Sequence, residues 1–394
     1  MLSFPKKKKV LLLIETSRSL GRQSIQGILR FVAERRNWNL LFHDRGVLEH
    51  LPVWLKHWDG DGIISRTDTP EKYRQLRKLQ IPVIEILGDG KRHPPHVKCD
   101  EIQSCRLVAD HFWQRSFRSF GFFSIGHNWW VIERQKAFQQ ALAAYGAKCA
   151  VSPQTAIKND ISSSFLWWKG CDNEVSDWVR SLPKPVGIFC PWDMQAFFLM
   201  NICESQQIAI PEDVAVVGYG NNADICRAST PPLSSVAPNA QEYGYQAAVL
   251  LDRVFQGKTL PDLPISIPAT HLQVRQSSDI VAVPDPDVAA AIHFIRKNID
   301  RKPISVTDVA RHLNLSKSTL ARRFRDHLGR PPEVEILHAK IELAKELLRE
   351  TRFSMGKIAV TLGYSSTANF VRAFHRHTEL TPQAYRLHFL GEET

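Results

Sequence analysis

Ser316, Lys317, Ser318, Thr319, Arg322 and Arg323 fall within eight consecutive positions, and Ser366, Thr367, Asn369 and Arg372 within seven. Hydroxyls and Lys suit phosphate oxygens, Arg pairs bidentately with guanine, and Asn pairs with adenine. The two clusters therefore suit phosphates and base edges of double-stranded DNA, provided that a helix presents each one. Local charge agrees: Lys317, Arg322, Arg323, Arg325 and Arg330 stand against Asp326, a net of +4. The whole-chain net charge of +11 is the weaker sign, since it favours any anionic partner.

The flanking residues supply the elements. Residues 305–316 and 354–365 are two copies of one pattern, in which Ala310 matches Ala359, Leu313 matches Leu362 and Ser316 matches Ser365. Each continues into apolar residues at helical spacing, Leu320, Phe324 and Leu328 in one, Phe370 and Phe374 in the other. The pattern predicts a helix-turn-helix twice over. The small Ala lets two helices approach, Asn314 or Gly363 takes the left-handed turn, and Ser316 or Ser365 caps the second helix. Val334, Leu337, Ile341, Ala344 and Leu348 mark one amphipathic helix between the copies. Two such units could enter successive major grooves, about 10 base pairs apart. A single copy would fit a structural bundle with a solvated basic face equally well; the repetition favours DNA.

Residues 287–394 resemble the DNA-binding domain of the AraC/XylS family, through Ile358-Ala359, Gly363-Tyr364, Phe370, Phe374 and Thr381-Pro382-Gln383-Ala384-Tyr385-Arg386. The resemblance implies base contacts by Arg322 and Arg372, with Ser318, Thr367 and Asn369 beside them. Ala321 departs from a position that is often polar in the family, and Glu379 replaces a common Gly.

Upstream, short apolar runs at 10–14, 38–42, 62–64, 81–87, 120–125, 186–190 and 214–219 alternate with helical spacing, and Pro70 opens a helix. This rhythm predicts α/β architecture with parallel sheets, which bind ligands outside the carboxyl ends of their strands. Pro284-Asp285-Pro286-Asp287 suits neither a helix interior nor a central strand, so a linker is placed at 279–286, between a domain at 1–278 and another at 287–394. All seven cysteines (99, 105, 149, 171, 190, 203 and 226) precede it. An odd number without C-x-x-C spacing fits a reducing cytoplasm, and neither a disulfide framework nor a four-ligand zinc site.

This first region resembles the two-lobed, periplasmic-binding-protein-like sensors of the LacI/GalR family. The resemblance rests on residues 210–220, which end in Val217-Gly218-Tyr219-Gly220, on residues 231–236 and 244–248, and on Glu133-Arg134 followed by Ala137-Phe138. It implies a small sugar bound between the lobes. Sugars need charged and amide groups to saturate their hydroxyls and an aromatic to cover the ring face. Arg134, Asp193 and Asn221 follow predicted strands, Glu15, Ser17 and Arg22 are the first-lobe equivalents, and Trp192 is the stacking candidate. Structural alternatives exist: Arg134 as an ion pair with Glu133, Asp193 as a helix cap, Asn221 as a turn residue. Trp129, Trp130, Trp167 and Trp168 suit packing or the lobe surface. Gly220 stands where the family usually has Asp, so either Asn221 takes over or the ligand differs. The sensor-first order resembles that of bacterial xylose-operon regulators, which implies D-xylose as effector, a homodimer and RNA polymerase as a partner.

Other signals fail. Gly257-Lys258-Thr259 lacks the earlier glycine of a phosphate loop, since Asp252 occupies that place. Asp59-Gly60-Asp61-Gly62 is too short for a calcium loop and reads as a turn. Neither H-E-x-x-H nor G-x-S-x-G occurs. No cofactor, metal or catalysis is expected, which disfavours a sugar-processing enzyme with a DNA-binding tail. The apolar run after Lys9 is too short for a signal peptide, which disfavours a transport binding protein, and no run approaches the roughly 18 residues of a membrane span.

Overall fold

The predicted strands are apolar at nearly every residue, which demands burial on both faces and hence helices above and below each sheet. The computed structural model describes residues 7–35, 37–44, 46, 50–67, 69–88, 96–126, 128–153, 172–283, 285–299 and 304–390, and it divides into compact units at 1–279 and 280–394. Trp167, Trp168, Cys171 and Pro284 lie outside the described residues.

In the first unit, β1 (Lys8–Leu13), α1 (Ser19–Arg35), β2 (Trp38–Phe42), β3 (Gly62–Ser65), α2 (Pro70–Arg77) and β4 (Val83–Glu85) give a parallel sheet of order β2-β1-β3-β4. After β5 (Val97–Cys99), α3 (Glu101–Gln114) opens a second lobe. There follow β6 (Ser119–Phe122), α4 (Trp129–Ala143), β7 (Ala150–Val151), α5 (Asp172–Ser181), β8 (Val186–Phe189), α6 (Asp193–Ser205), β9 (Val214–Tyr219), α7 (Ala223–Ala228) and β10 (Ser234–Ala237). The chain returns through α8 (Ala240–Phe255), β11 (Ile265–Ile267) pairs with β5, and β12 (His271–Gln273) closes the second sheet antiparallel to β10. That sheet has the order β12-β10-β9-β8-β6-β7. Several strands stop short of their apolar runs: 81–87 contracts to Val83–Glu85, and 120–125 to Ser119–Phe122. Just beyond these ends Ile86 and Phe123 are buried, their N–H groups donating to the Ser65 carbonyl at 2.9 Å and the Phe189 carbonyl at 3.0 Å.

The first lobe packs Leu11, Ile63, Leu76 and Val83 together; the second packs Phe123, Ile188, Leu199, Val216 and Leu233. α8 lies directly on α1 because both have glycine at the crossing. A Cβ on Gly27 would stand 1.8 Å from the Gln241 carbonyl oxygen, and one on Gly244 would stand 1.8 Å from that of Ser24.

The second unit is helical: α9 (Pro286–Asn298), α10 (Val306–His312), α11 (Lys317–Leu328), α12 (Pro332–Glu350), α13 (Met355–Thr361), α14 (Thr367–Thr378) and α15 (Pro382–Leu390). Ile280, Ala282 and Val283, within the stretch expected to be linker, are buried, and Asp285 caps α9. Asn314 and Gly363 take the left-handed conformation, at φ 54° and 70°. Ser316 caps α11, its hydroxyl accepting the Thr319 N–H at 3.0 Å. The matching expectation for Ser365 is corrected. Ser366 caps α14, accepting the Asn369 N–H at 3.2 Å, because the second turn is one residue longer. Leu320 and Phe324, like Phe370 and Phe374, are fully buried, the latter pair against Ile341, Ala344, Leu348 and Tyr385.

Gly329 ends α11 in the left-handed region at φ 66°, and Glu379 ends α14 in the same way at φ 61°. A side chain there costs about 1 kcal/mol that glycine avoids. Glu379→Gly should therefore raise unfolding stability by up to about 1 kcal/mol in urea titrations, after allowing for the extra freedom of the unfolded chain. A loss of stability would contradict this reading of the cap.

Candidate functional site

α11 and α14 begin with the predicted hydroxyls. Ser316, Lys317, Ser318 and Arg322 are exposed and Thr319 is half-buried; on α14, Ser366, Thr367 and Arg372 are exposed and Asn369 is half-buried. The Ser316 hydroxyl lies 2.8 Å from those of both Ser318 and Thr319. Asn369 donates through Nδ2 to Ser365 at 2.8 Å and accepts from Arg372 Nη2 at 2.5 Å, so the adenine-type and guanine-type side chains form one pre-ordered pair.

The expected basic cluster on α11 is reduced. Arg323 Nη1 donates to Asp285 at 2.7 Å and lies 3.1 Å from the Asp287 carboxylate. Arg330 Nη2 donates at 2.7 Å to Glu335, a buried carboxylate that Arg296 also approaches at 3.5 Å. Arg322 is 3.9 Å from Asp326, at an exposed spacing worth little energy. Lys317 and Arg322 thus remain as the outward cations among the DNA candidates of α11.

The second-lobe candidates converge at the carboxyl ends of β8 and β9. Arg134 on α4 is buried; Nε and Nη2 donate to Glu101 at 2.7 Å each, and Nη1 donates to the Pro191 carbonyl at 2.7 Å. Its guanidinium carbon stands 3.4 Å from the centre of the Tyr219 ring. Arg134 therefore pairs with Glu101 at the start of α3. Three of the five guanidinium N–H groups are used by acceptors among the described residues.

Asp193 does not cap its own helix. Its carboxylate accepts the Asn222 N–H at 2.8 Å and the Ser235 hydroxyl, tying α6 to the turn after β9 and to strand β10. Burial pushes its pKa up to about 6. Asn221 is a turn residue at φ 46° whose Oδ1 accepts from Arg275 Nη2 at 2.9 Å. Gly220 has φ 125°, and a Cβ there would stand 3.1 Å from Asp193 Oδ2 and 4.0 Å from Trp192 Cδ1. An Asp at 220 would be strained and would face a second carboxylate.

From the first lobe, buried Glu15 pairs with Arg66, Ser17 is exposed, and exposed Arg22 donates to the Thr16 carbonyl at 2.6 Å. The lobes meet where the Arg18 guanidinium lies 4.5 Å from the centre of the Trp192 ring. The stacking candidate thus already has a cation on its ring. The sequence reading missed Arg18, Arg66, Glu101, Ser235 and Arg275. Arg18 and Arg66 follow predicted strands closely and Ser235 lies in the 231–236 motif, whereas Glu101 and Arg275 carry no such signal.

Known proteins with this combination exist. Residues 9–98 match the XylR N-terminal domain, 109–278 the periplasmic binding protein-like domain, and 309–388 the helix-turn-helix domain. The xylose operon regulatory protein of Haemophilus influenzae is 30% identical over 390 residues, covering 96% of this chain and 98% of that one. The chain belongs to the XylR family of transcription regulators. The Escherichia coli K12 xylose operon regulatory protein is 28% identical, covering 97% and 98% of the two chains. A solved structure of a xylose-binding transcription activator, xylR, superposes with TM-score 0.74 at 27% identity, covering 98% of this chain and 99% of that one. A transcriptional regulator CelR–cellobiose complex shares the sensor fold at TM-score 0.54 and 20% identity, over 70% of this chain and 86% of that one.

As a XylR-type regulator the chain binds DNA through its helix-turn-helix domain and is not an enzyme. Among the described residues no group of His, Cys, Asp and Glu could hold a metal ion, and no helix is long and apolar enough to cross a membrane.

A further buried acid closes the first-lobe sheet of this XylR-type fold. Glu85, at the end of β4, accepts from Thr67 N at 2.6 Å and Thr67 Oγ1 at 2.8 Å, and shares a hydrogen bond with Ser65. Burial pushes its pKa up to about 8 from an ordinary 4.5. The folded protein therefore holds this proton at neutral pH. The associated stability is complete below pH 4.5 and is lost as pH rises through about 8. Glu85→Gln keeps an acceptor for Thr67 and a donor for Ser65. The wild-type urea midpoint should fall between pH 6 and pH 9, and the variant should lose most of that slope. An unchanged slope would assign the dependence elsewhere.

Proposed function

We propose that the chain is a cytoplasmic, sugar-responsive regulator in which a small sugar bound between the sensor lobes controls DNA reading by α11 and α14. The observation that carries this reading is the meeting of both lobes at the ends of their parallel strands, with Arg18 on Trp192 and the Arg134 guanidinium beside them. Arg134 keeps N–H groups for a hydroxyl, and Trp192 offers a ring face once Arg18 moves. Glu15, Ser17 and Arg22 border the first-lobe side; Asp193 and Asn221 border the second.

D-xylose is the leading effector, because full-length relatives are regulators of xylose operons. Gly220 supports a second reading, a different sugar. It offers no carboxylate, and neither Asp193 nor Asn221 replaces one freely, since Ser235, Asn222 and Arg275 occupy their oxygens. The resemblance also supports a homodimer that engages RNA polymerase. Closure of the lobes on the sugar would shift the population of the DNA-binding state.

A thermal-shift screen of pentoses and hexoses tests the effector. A sugar at 100 times its dissociation constant should add about 2.7 kcal/mol. A shift with D-xylose supports the leading reading, a shift with another sugar replaces it, and silence across the panel removes sugar sensing. For the reader, Arg322→Ala and Arg372→Ala should each weaken binding to a selected duplex by roughly 1–3 kcal/mol and relax specificity locally. Wild-type footprints from both variants would show that these helices are not the readers.

A further inference from the structure

Arg323 lies on α11 among the residues expected to meet DNA, but its charge is already committed. Asp285 receives its Nη1 at 2.7 Å, and Asp287 stands 3.1 Å away. His327, one turn further along α11, places Nε2 3.3 Å from the same Asp285 carboxylate. Asp285 also caps α9, accepting the backbone N–H groups of Asp287 at 2.9 Å and Val288 at 3.0 Å. Its side chain is 9% exposed. One largely enclosed carboxylate therefore ties the start of α9 to two positions on the first recognition helix. A cation shared by two carboxylates of its own chain adds no net positive charge at a phosphate.

Asp285 stands near the start of the second unit. It comes six positions after Asp279, the last residue of the first unit. That end is itself fastened to α3: His111 Nε2 stands 2.8 Å from the Ser278 hydroxyl, and Arg115 donates to Asp279 at 3.1 Å. α3 begins at Glu101, the partner of Arg134.

We propose that Asp285 is a positioning residue for DNA recognition. It fixes α11 to the beginning of the second unit through Arg323 and His327, and Arg323 is an internal anchor instead of a DNA contact. The proposal does not need the effector to be a sugar; it rests on DNA binding by the helix-turn-helix domain.

The test uses the full chain and two probes, a mixed-sequence 30-base-pair duplex and a duplex selected from a random library. On the first, the slope of log affinity against log salt falls by about 0.9 for each phosphate that the protein no longer neutralises. Lys317→Ala should show that decrease, and Arg323→Ala should leave the slope unchanged. On the second, Asp285→Asn, which can still cap a helix, and Arg323→Ala should each weaken binding roughly 5- to 10-fold. The double variant should lose clearly less than the sum of the two single losses, since both remove the Asp285–Arg323 interaction. Arg323→Lys, which keeps one charged donor, should recover part of the affinity. Hydrogen exchange in α11 should rise in both single variants while α14 is unchanged. A slope that falls by about 0.9 in Arg323→Ala would make Arg323 a phosphate contact. Additive losses, or unaltered exchange in α11, would likewise overturn the proposal.

Discussion

Burying a guanidinium costs several kcal/mol unless every side of it finds a partner. Arg134 meets most of that demand with the Glu101 carboxylate, the Pro191 carbonyl and the face of Tyr219. Each partner comes from a different part of the sensor: the start of α3, the turn that carries Trp192, and the end of β9. Around this one cation the second-lobe side of the cleft acquires its shape. Tyr219 in turn hydrogen-bonds Cys99 at 2.9 Å, where β5 leaves the first lobe, so the same group of contacts reaches the crossover between lobes. Removing the carboxylate alone would leave a buried charge unpaired.

The reader unit follows a different logic. Its two helix-turn-helix copies share small residues at the helix crossing, left-handed turns and apolar residues at a spacing of four, all consequences of packing two short helices against α12. Their exposed faces diverge. In the first copy, two of the five basic residues are held by acids elsewhere in the unit. In the second, Asn369 and Arg372 order one another. Similar scaffolds thus present unlike surfaces, as expected if each reads its own stretch of groove.

Much of this was legible in the sequence because it depends on local rules. Apolar runs without alternation announced parallel strands, Asn314 and Gly363 announced the turns, and the order of motifs separated sensor from reader. What was illegible depends on partners distant in sequence. Nothing near Arg323 shows that Asp285, 38 positions away, takes its charge. Likewise nothing near Asp193 shows that its carboxylate accepts from Asn222, in the turn after β9, and from Ser235 in β10. The missing acid at 220 is visible in the sequence, but its reason, a glycine-favouring φ beside the Asp193 carboxylate, lies in the folded backbone. The cap falls on Ser366 and not on Ser365 because the second turn carries one extra residue, which the shared apolar pattern does not reveal.

Whether occupancy of the cleft governs DNA reading is decided by one titration. Full-length protein is bound to a fluorescent duplex selected from a random library, with and without a saturating sugar. The account predicts a change in affinity of roughly 5- to 150-fold, the usual range of such coupling. It also predicts that the change disappears when Arg134 is replaced by Lys in a variant that remains folded. Equal affinities with and without every pentose and hexose that binds the sensor would contradict it.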